Sequence, residues 1–298
     1  MKKILVSGLV NTETTVKVRQ FPINYYPIDY PFFGVNTAAS GVAYNIALAL
    51  TTLGDEVHLL GMTGTDFPAE YIKSELSAAG IGTEHLKAKL VQTPSSVVLY
   101  DESGRRQIYC DLKDVQETSY GFQEEQIADA DIVVACNINF NRELLRLAKS
   151  MGKIIATDVH VLGNVWDDYN REFMECADIL FLSDEAVGDD PYDFIEKLEE
   201  VYRTPIIVMG RGSKGALMYL RDDNWFHEMP AAHVGEVVNT VGAGDALFSS
   251  FLHFYAKGLY PVDCLKRAIV FAAAKIRVSG ASKGFVTERE VEEMLSWN

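Results

Sequence analysis

Short apolar runs that alternate with amphipathic segments are the feature that most restricts how this chain of 298 residues can fold. The short, largely apolar runs lie at 4–8, 57–61, 132–136, 154–157, 179–182 and 206–209. Segments with apolar residues at three- and four-residue spacings predict helices at 40–53, 70–79, 142–151 and 193–202. Apolar strands separated by helices are typical of βαβ units, so we predict an α/β fold whose parallel sheet is covered on both faces.

Two segments depart from this alternation, at about 12–37 and 94–111. Both contain strand-like sequence of the antiparallel kind, and both adjoin the N-terminal half of the predicted sheet. We interpret them as a small β-sheet lid inserted in a single domain that spans residues 1–298. The alternative is a pair of surface hairpins that share no role.

The last third of the chain changes character. Strands are expected at 215–220 and 225–229, followed by strand-like sequence at 235–238 and by helices at 245–257 and 262–278.

Composition and charge argue against several classes of protein. The formal net charge is −15, and such a surface repels nucleic acid. The four cysteines (Cys110, Cys136, Cys176 and Cys264) are widely spaced, so we expect reduced, mostly buried thiols rather than a zinc site or a disulfide framework. No stretch reaches the ~18 apolar residues of a membrane span, and the first apolar run is too short for a secretory signal. We therefore expect a cytoplasmic protein without nucleic-acid or membrane partners.

The glycine-rich segment at 210–215 matches G-x-G-x-x-G. A dinucleotide-binding segment of this type must open a helix, whereas the residues that follow here are strand-like. We therefore predict a tight loop between two strands and no NAD site.

A second glycine-rich segment, Gly242-Ala243-Gly244-Asp245, runs directly into a predicted helix. Small residues at a helix start let backbone N–H groups approach an anion closely, and the helix dipole favours negative charge there. Asp245 in the first turn can accept the proton of an attacking hydroxyl while those amides stabilise a transferring phosphoryl group. The spacing alone is equally consistent with a first-turn acid that only stabilises the helix start.

Residues 239–245 resemble the C-terminal signature of the PfkB carbohydrate kinases, members of the ribokinase-like superfamily. Further matches, in the order and spacing of that family, occur at 8–13, 40–47, 61–66, 103–105 and 279–284, and they cover nearly the whole chain. The resemblance implies a ribokinase-like three-layer α/β/α sandwich with a mostly parallel central sheet. It also implies a small β-sheet lid that closes over the substrate and often forms a homodimer contact.

The resemblance assigns roles to individual residues. It implies that Asp245 is the catalytic base and that Gly242, Ala243 and Gly244 form the anion hole. Substrate-binding positions are Asn11, Glu13, Gly41, Asn45 and Arg105. Nucleotide-binding positions are Gly212, Gly215, Thr240, Ser282 and Gly284. ATP would bring Mg²⁺ with it, and the segments 239–241 and 279–284 correspond to a region that often holds a monovalent cation such as K⁺.

The sequence departs from the family pattern at several positions. Glu13 replaces the usual Asp of the first strand, Ser40 replaces a Gly and Asn239 replaces an Asp. The N-x-x-E motif that organises magnesium falls at 183–186, where neither end is kept, and Glu185 is our candidate metal ligand. His160 stands where many sugar kinases have Asn, in a structural or a substrate-contacting role.

The resemblance favours an ATP-dependent kinase for a hydroxyl of a sugar or sugar-like molecule. The alternatives are a nucleoside kinase, a phosphosugar kinase that would use Arg105 and Arg106, and a nucleotide- or sugar-binding homologue that has lost catalysis. An aromatic patch in the lid, formed by Tyr25, Tyr26, Tyr30, Phe32 and Phe33, can line the substrate pocket, pack on a partner's lid or cap the protein's own core.

Overall fold

The computed structural model describes residues 2–296, in which helices surround one large β-sheet and a smaller sheet lies beside it. The strands are β1 (Lys3–Ser7), β2 (Asn11–Lys17), β3 (Val35–Ser40), β4 (Glu56–Thr63), β5 (Leu86–Ala88), β6 (Ser95–Tyr100), β7 (Arg106–Asp111), β8 (Ile132–Ala135), β9 (Ile154–Val161), β10 (Ile179–Ser183), β11 (Ile206–Gly210), β12 (Ala216–Leu220) and β13 (Trp225–Met229). The helices are α1 (Val42–Leu53), α2 (Phe67–Ala78), α3 (Glu124–Ala128), α4 (Asn141–Ser150), α5 (Arg171–Cys176), α6 (Pro191–Tyr202), α7 (Ala243–Ala256), α8 (Pro261–Lys275) and α9 (Glu288–Leu295).

The large sheet has nine strands in the order β13-β12-β11-β10-β9-β8-β1-β4-β5. The pairings from β11 through β5 are parallel, and β12 and β13 are added antiparallel at one edge. Alternate residues of β1 point to opposite faces: Ile4 and Val6 pack with α1, α7 and α8, whereas Leu5 packs with α4, α5 and α6. Each face therefore has its own apolar core, and the predicted three-layer α/β/α sandwich with a mostly parallel sheet is confirmed.

The small sheet is built from the two segments that depart from the βαβ alternation. Its order is β3-β2-β6-β7, and its inner pair, β2 and β6, is parallel although the two outer pairs are antiparallel. The inner strands β2 and β6 follow β1 and β5, two strands of the main sheet that run in the same direction on either side of β4. The backbone N–H of Thr12 donates to the carbonyl of Pro94 at 3.3 Å.

The predicted starts of α1 and α7 and the predicted strand at 235–238 were wrong. Helix α1 begins at Val42 rather than at residue 40, because Gly41 has a φ of +108°, which ends the preceding strand instead of continuing a helix. Helix α7 begins at Ala243, two residues earlier than predicted. Residues 235–238 form no strand. The amides of Val238 and Asn239 instead donate to the carbonyl of Ile276, at 2.9 and 3.1 Å, so this segment follows the end of α8.

The four cysteines are free thiols of differing exposure. Cys136 and Cys264 are buried, Cys176 is half-buried and Cys110 is exposed. The prediction of mostly buried thiols therefore holds for Cys136 and Cys264 but not for Cys110. Burial raises the pKa of Cys264 to about 12, which keeps that thiol protonated. Within residues 2–296 no helix has both the length and the apolar character required to cross a bilayer.

Candidate active site

Asp245 lies in the first turn of α7, and the turn before it requires glycine. Gly242 precedes the helix with a φ of +78°, in the left-handed region. A Cβ atom at Gly242 would lie 2.6 Å from the carbonyl oxygen of Ala281, so no side chain fits there. At Gly244, by contrast, a Cβ atom would approach nothing closer than the Oδ2 of Asp158, at 4.0 Å. The backbone is therefore closely packed against Ala281 at Gly242, whereas the space beside Gly244 is open.

The carboxylate of Asp245 is held by an amide from the other end of the chain. Asn45, in the first turns of α1, donates from Nδ2 to Asp245 Oδ2 at 2.7 Å, and both side chains are buried. Burial raises the pKa of Asp245, an effect that the hydrogen bond from Asn45 partly offsets. A desolvated carboxylate in one fixed orientation is well suited to accept a proton.

Two predicted substrate residues lie on β2, at the base of the small sheet. Asn11 donates from Nδ2 to the hydroxyl of Ser96 at 3.2 Å, and Ser40 donates to Glu13 Oε2 at 3.5 Å. Burial raises the pKa of Glu13; the hydrogen bond from Ser40 opposes this rise, and the nearby charge of Asp245 adds to it. The small sheet therefore places Glu13 within electrostatic reach of Asp245.

Two buried acceptor atoms on this side of the site have no donor. Within residues 2–296 neither Asn11 Oδ1 nor Asn45 Oδ1 has a hydrogen-bond partner. A buried polar atom without a partner destabilises a fold by about 1–3 kcal/mol, so such atoms at a site point to a ligand that completes them. Hydroxyl groups are donors of the kind these oxygens require.

Lys275, the last residue of α8, is a charged group of this site that the sequence reading missed. Its side chain is fully buried, and its ammonium donates to the carbonyl of Val241 and, at 2.8 Å, to that of Gly280. Burial lowers the pKa of Lys275 to about 8, although the charges of Asp245 and Glu13 oppose the decrease. The available signal was helical spacing, since Lys275 falls four and seven residues after the buried Phe271 and Ala268.

The predicted nucleotide-binding residues lie on three loops. Gly212 begins a single 3₁₀ turn between the antiparallel strands β11 and β12, so the predicted strand-to-strand loop is confirmed. Gly215 ends that turn with a φ of +91°. Ser282 donates to the carbonyl of Ala39 at 3.1 Å, which ties its loop to the C-terminal end of β3.

A groove of about 440 Å³ lies beside the helix start and includes another of these residues, Gly284. Its remaining lining residues are Glu236, Val238, Ala274, Arg277, Val278, Phe285 and Val286. It joins apolar walls to one arginine, a combination that suits a flat, partly polar ring with a phosphate nearby.

The two lid arginines are placed differently. Arg105 is engaged within the lid, where it bonds both Asp101 Oδ2, at 3.0 Å, and the carbonyl of Phe21. Arg106 instead extends to the loop before α7, and its Nη1 lies 3.4 Å from the hydroxyl oxygen of Thr240. Arg106 is therefore the lid arginine that the structure brings to the loop before α7.

Acidic groups near the ends of β9 and β10 are spread out rather than clustered. Glu185 is exposed on a 3₁₀ turn, and Asp158 accepts from the backbone N–H of His160 at 2.8 Å. His160 has a φ of +57°, and its charge lowers the pKa of Asp245, so it lies near the site. No group of three His, Cys, Asp or Glu residues within 2–296 forms a metal cage.

The aromatic patch of the lid does not cap the protein's own core. All five of its residues are exposed, from 49% at Tyr26 to 100% at Phe33. That alternative for the patch was wrong.

The chain is thus an α/β/α domain that carries a small β-sheet and a buried carboxylate at a glycine-rich helix start, the arrangement that the sequence predicted for a small-molecule phosphotransferase. Over residues 1–288 the sequence matches the family described as pfkB family carbohydrate kinase. The chain belongs to that family. It is an ATP-dependent phosphotransferase whose acceptor is a hydroxyl group of a sugar-like small molecule, which confirms the predicted family and enzyme class.

Individual curated relatives and solved structures are similar to this chain in sequence or in fold. The chain is 28% identical over 240 residues to the cytidine kinase of Thermococcus kodakarensis, an alignment that covers 77% of this chain and 83% of that protein. A putative ribokinase from Agrobacterium tumefaciens superposes with a TM-score of 0.88 at 25% identity, covering 99% of this chain and 98% of that one. A microbiome-derived acarbose kinase superposes with a TM-score of 0.87 at 24% identity, covering 99% of both chains.

Proposed function

We propose that Asp245 is the general base that takes the proton of the acceptor hydroxyl while that hydroxyl attacks the γ-phosphate of ATP. The observation that carries this proposal is the orientation of the carboxylate, which Asn45 fixes at 2.7 Å next to the open start of α7. Deprotonation during attack makes the hydroxyl oxygen a better nucleophile, and the proton ends on a carboxylate that burial has already made more basic.

The anion hole in this proposal is the backbone at Gly242, Ala243 and Gly244. The first amides of a helix have no carbonyl four residues earlier to bond, so they are available to a ligand, although the N–H of Ala243 also donates to the carbonyl of Thr240 at 3.2 Å. Gly244 leaves the space before them open, since a Cβ atom there would contact only Asp158. These amides would stabilise the charge on the phosphoryl group as it transfers, without reorganising.

We assign the acceptor to the side of Asn11, Glu13, Gly41 and Asn45. The unpartnered Oδ1 atoms of Asn11 and Asn45 accept from hydroxyls, and Glu13 can engage a further one. These are ligands for a neutral polyol, whether a free sugar or the ribose of a nucleoside. Arg105 remains a predicted substrate residue that would first have to leave Asp101, and Arg106 is better placed to meet phosphate.

We place ATP with its base in the groove that includes Gly284 and with its phosphates towards Gly242. Thr240 and Ser282 flank that path, and Gly212 and Gly215 would border it from the β11–β12 turn. Bound Mg²⁺ would neutralise phosphate charge, with Glu185 as our candidate ligand from the chain. A K⁺ site formed by the segments 239–241 and 279–284 stays a prediction. The Lys275 ammonium already donates to carbonyls of both segments and would compete with K⁺ for them.

A coupled assay of ADP release with ATP and Mg²⁺ tests the function directly. We expect release that depends on an acceptor from a panel of neutral sugars and nucleosides, and little with phosphosugars, because the acceptor side carries a carboxylate and no free cation within residues 2–296. Glu13→Gln should alter the preference among acceptors while the ATPase background stays unchanged. Glu102→Gln, an exposed change elsewhere in the lid, is the matched control. A full panel without acceptor-dependent ADP would contradict the kinase assignment.

We also propose that the chain forms a homodimer through the small sheet and acts in the cytoplasm. Phe32 and Phe33 are 84% and 100% exposed, and contiguous exposed aromatic residues are typical of interaction surfaces. The cytoplasm supplies ATP and keeps thiols reduced, and the four cysteines are free.

Light scattering should therefore give the mass of two chains, and Phe33→Ser should lower it towards one. Phe67→Ser, at a phenylalanine on α2 that is 82% exposed, should leave the mass unchanged. A wild-type mass of one chain would refute the dimer.

A further inference from the structure

The fully buried ammonium of Lys275 lies behind the anion-binding turn, where a charge needs strong compensation. The helix face that carries it is otherwise apolar, with Phe271 buried one turn earlier and Ala268 two turns earlier. A charged group transferred from water to such surroundings is unstable unless it is paired or hydrogen-bonded. The contacts of this ammonium therefore indicate what it does.

Those contacts are backbone carbonyls rather than carboxylates. Nζ donates to the oxygens of Val241 and Gly280, and within residues 2–296 it makes no ion pair at contact distance with an acidic side chain. Asp245 and Glu13 act on it through space, since their charges raise its pKa. Carbonyl oxygens arranged around a single positive charge are the ligands by which proteins bind K⁺ and other monovalent cations.

The two carbonyls belong to the two loops that meet behind the helix start. Val241 directly precedes Gly242, and Gly280 directly precedes Ala281, whose carbonyl packs against Gly242. The peptide unit between Val241 and Gly242 is planar, with its C=O and N–H on opposite sides in the usual trans form. When Lys275 holds the carbonyl on the inner side, the N–H of Gly242 is directed to the outer side, where the phosphoryl group would bind.

We propose that the Lys275 ammonium is a tethered monovalent cation that joins the loops 239–242 and 279–282 and orients the amide of Gly242 towards the transferring phosphoryl group. Lys275 is thus a positioning residue, and the enzyme needs no K⁺ for this task. The proposal rests on the phosphotransferase mechanism above and adds to it the group that keeps the anion hole formed.

The first test uses the wild-type enzyme, in assays at constant ionic strength with K⁺, NH₄⁺ or tetramethylammonium as the monovalent cation. We expect the same kcat in all three, because the cation is part of the chain. A wild-type enzyme that loses most of its activity without K⁺ or NH₄⁺ would overturn the proposal. Absence of acceptor-dependent ADP release in every salt would instead overturn the phosphotransferase mechanism, so the two failures are distinguishable.

The second test uses Lys275→Ala, which leaves room for a small cation. In tetramethylammonium the kcat of this variant should be about 100-fold below that of the wild type, which is the scale of losing one oxyanion donor. In NH₄⁺ or K⁺ the kcat of the variant should be at least about tenfold higher than in tetramethylammonium. Lys266→Ala, at an exposed lysine of the same helix, should respond to neither salt. A folded Lys275→Ala enzyme with normal kcat, or with a loss that no monovalent cation restores, would overturn the proposal.

A binding measurement covers the case in which Lys275→Ala folds poorly. Thermal unfolding of the variant should move to higher temperature in NH₄Cl than in tetramethylammonium chloride, whereas the wild-type transition should be the same in both salts. A shift of equal size in the two proteins would count against a cation site at residue 275.

Discussion

Asp245→Asn is expected to lower kcat by about 10²–10⁴-fold, because the variant keeps the shape of the side chain but has no group that accepts the hydroxyl proton. Asn45 can still donate to the new side-chain oxygen, so the helix start and ATP binding should be retained. Steady-state kinetics with a direct measurement of ATP affinity would check this. A variant that turns over at a near-normal rate would remove Asp245 as the base.

The same variant should be more stable than the wild type at neutral pH. Burial raises the pKa of Asp245 in the folded state, so between the ordinary carboxyl range and that raised value the folded chain holds more protons than the unfolded chain. Stability falls as pH rises through that window, and the penalty persists at neutral pH; asparagine does not ionise and escapes it. Thermal unfolding at pH 7 should show a higher Tm. Asp193→Asn, at an exposed first-turn acid of α6, is the matched control without this gain.

The pH dependence of the wild-type enzyme follows from the same shift. Only the ionised carboxylate can act as base, so kcat/KM should fall as pH decreases through the raised pKa of Asp245, above the ordinary value of 3.8. An acid limb at or below that ordinary value would contradict the assignment.

Gly242→Ala is expected to lower kcat/KM by about 100-fold or more, because it displaces the turn that forms the anion hole. The φ of +78° is unfavourable for alanine, and the new Cβ atom would lie 2.6 Å from the carbonyl of Ala281, which is backbone and cannot rotate away. The strain should also destabilise the fold by about 1–3 kcal/mol, measurable by denaturant unfolding.

Gly258→Ala separates strain from geometry. Gly258 has a φ of +87° just beyond the C-terminal end of α7, and a Cβ atom there would meet nothing within 4 Å. The Gly258→Ala variant should be destabilised by backbone strain about as much as Gly242→Ala is by its backbone strain. Its kcat/KM should stay near the wild-type value. Equal activity losses at Gly242 and Gly258 would show that global destabilisation, not the anion hole, explains the first variant.

The βαβ architecture was predictable because local apolar patterns encode it directly. A strand such as β10, with four buried apolar residues in succession, must be covered on both faces whatever its neighbours are. The turn before Asp245 was also predictable from the sequence, since small residues followed by an acid at a helix start favour either anion binding or simple stabilisation of the helix start. Its partner Asn45 was found through family resemblance, because no local pattern links residues 200 positions apart.

Other features depend on contacts that no local pattern reports. Residues 235–238 are strand-like in sequence, yet the amide of Val238 donates to the carbonyl of Ile276 at the end of α8. The buried face of α8 was visible in the spacing, but the carbonyls that receive Lys275 come from two irregular loops. The parallel pairing of β2 with β6 likewise joins segments that α1, β4 and α2 separate in the chain. In each case, long-range packing decided between local conformations of similar energy.

The hydrogen bond between Asn45 and Asp245 also has a consequence for synthesis of the protein. Its two residues lie 200 positions apart, so a growing chain carries α1 long before α7 exists. The proposed acceptor side of the site, on β2 and α1, belongs to the first part of the chain, whereas the proposed base and anion hole come late. A nascent or partly folded chain therefore has half a site and no phosphoryl-transfer chemistry. Activity marks the completion of folding, and incomplete chains do not consume ATP by this mechanism.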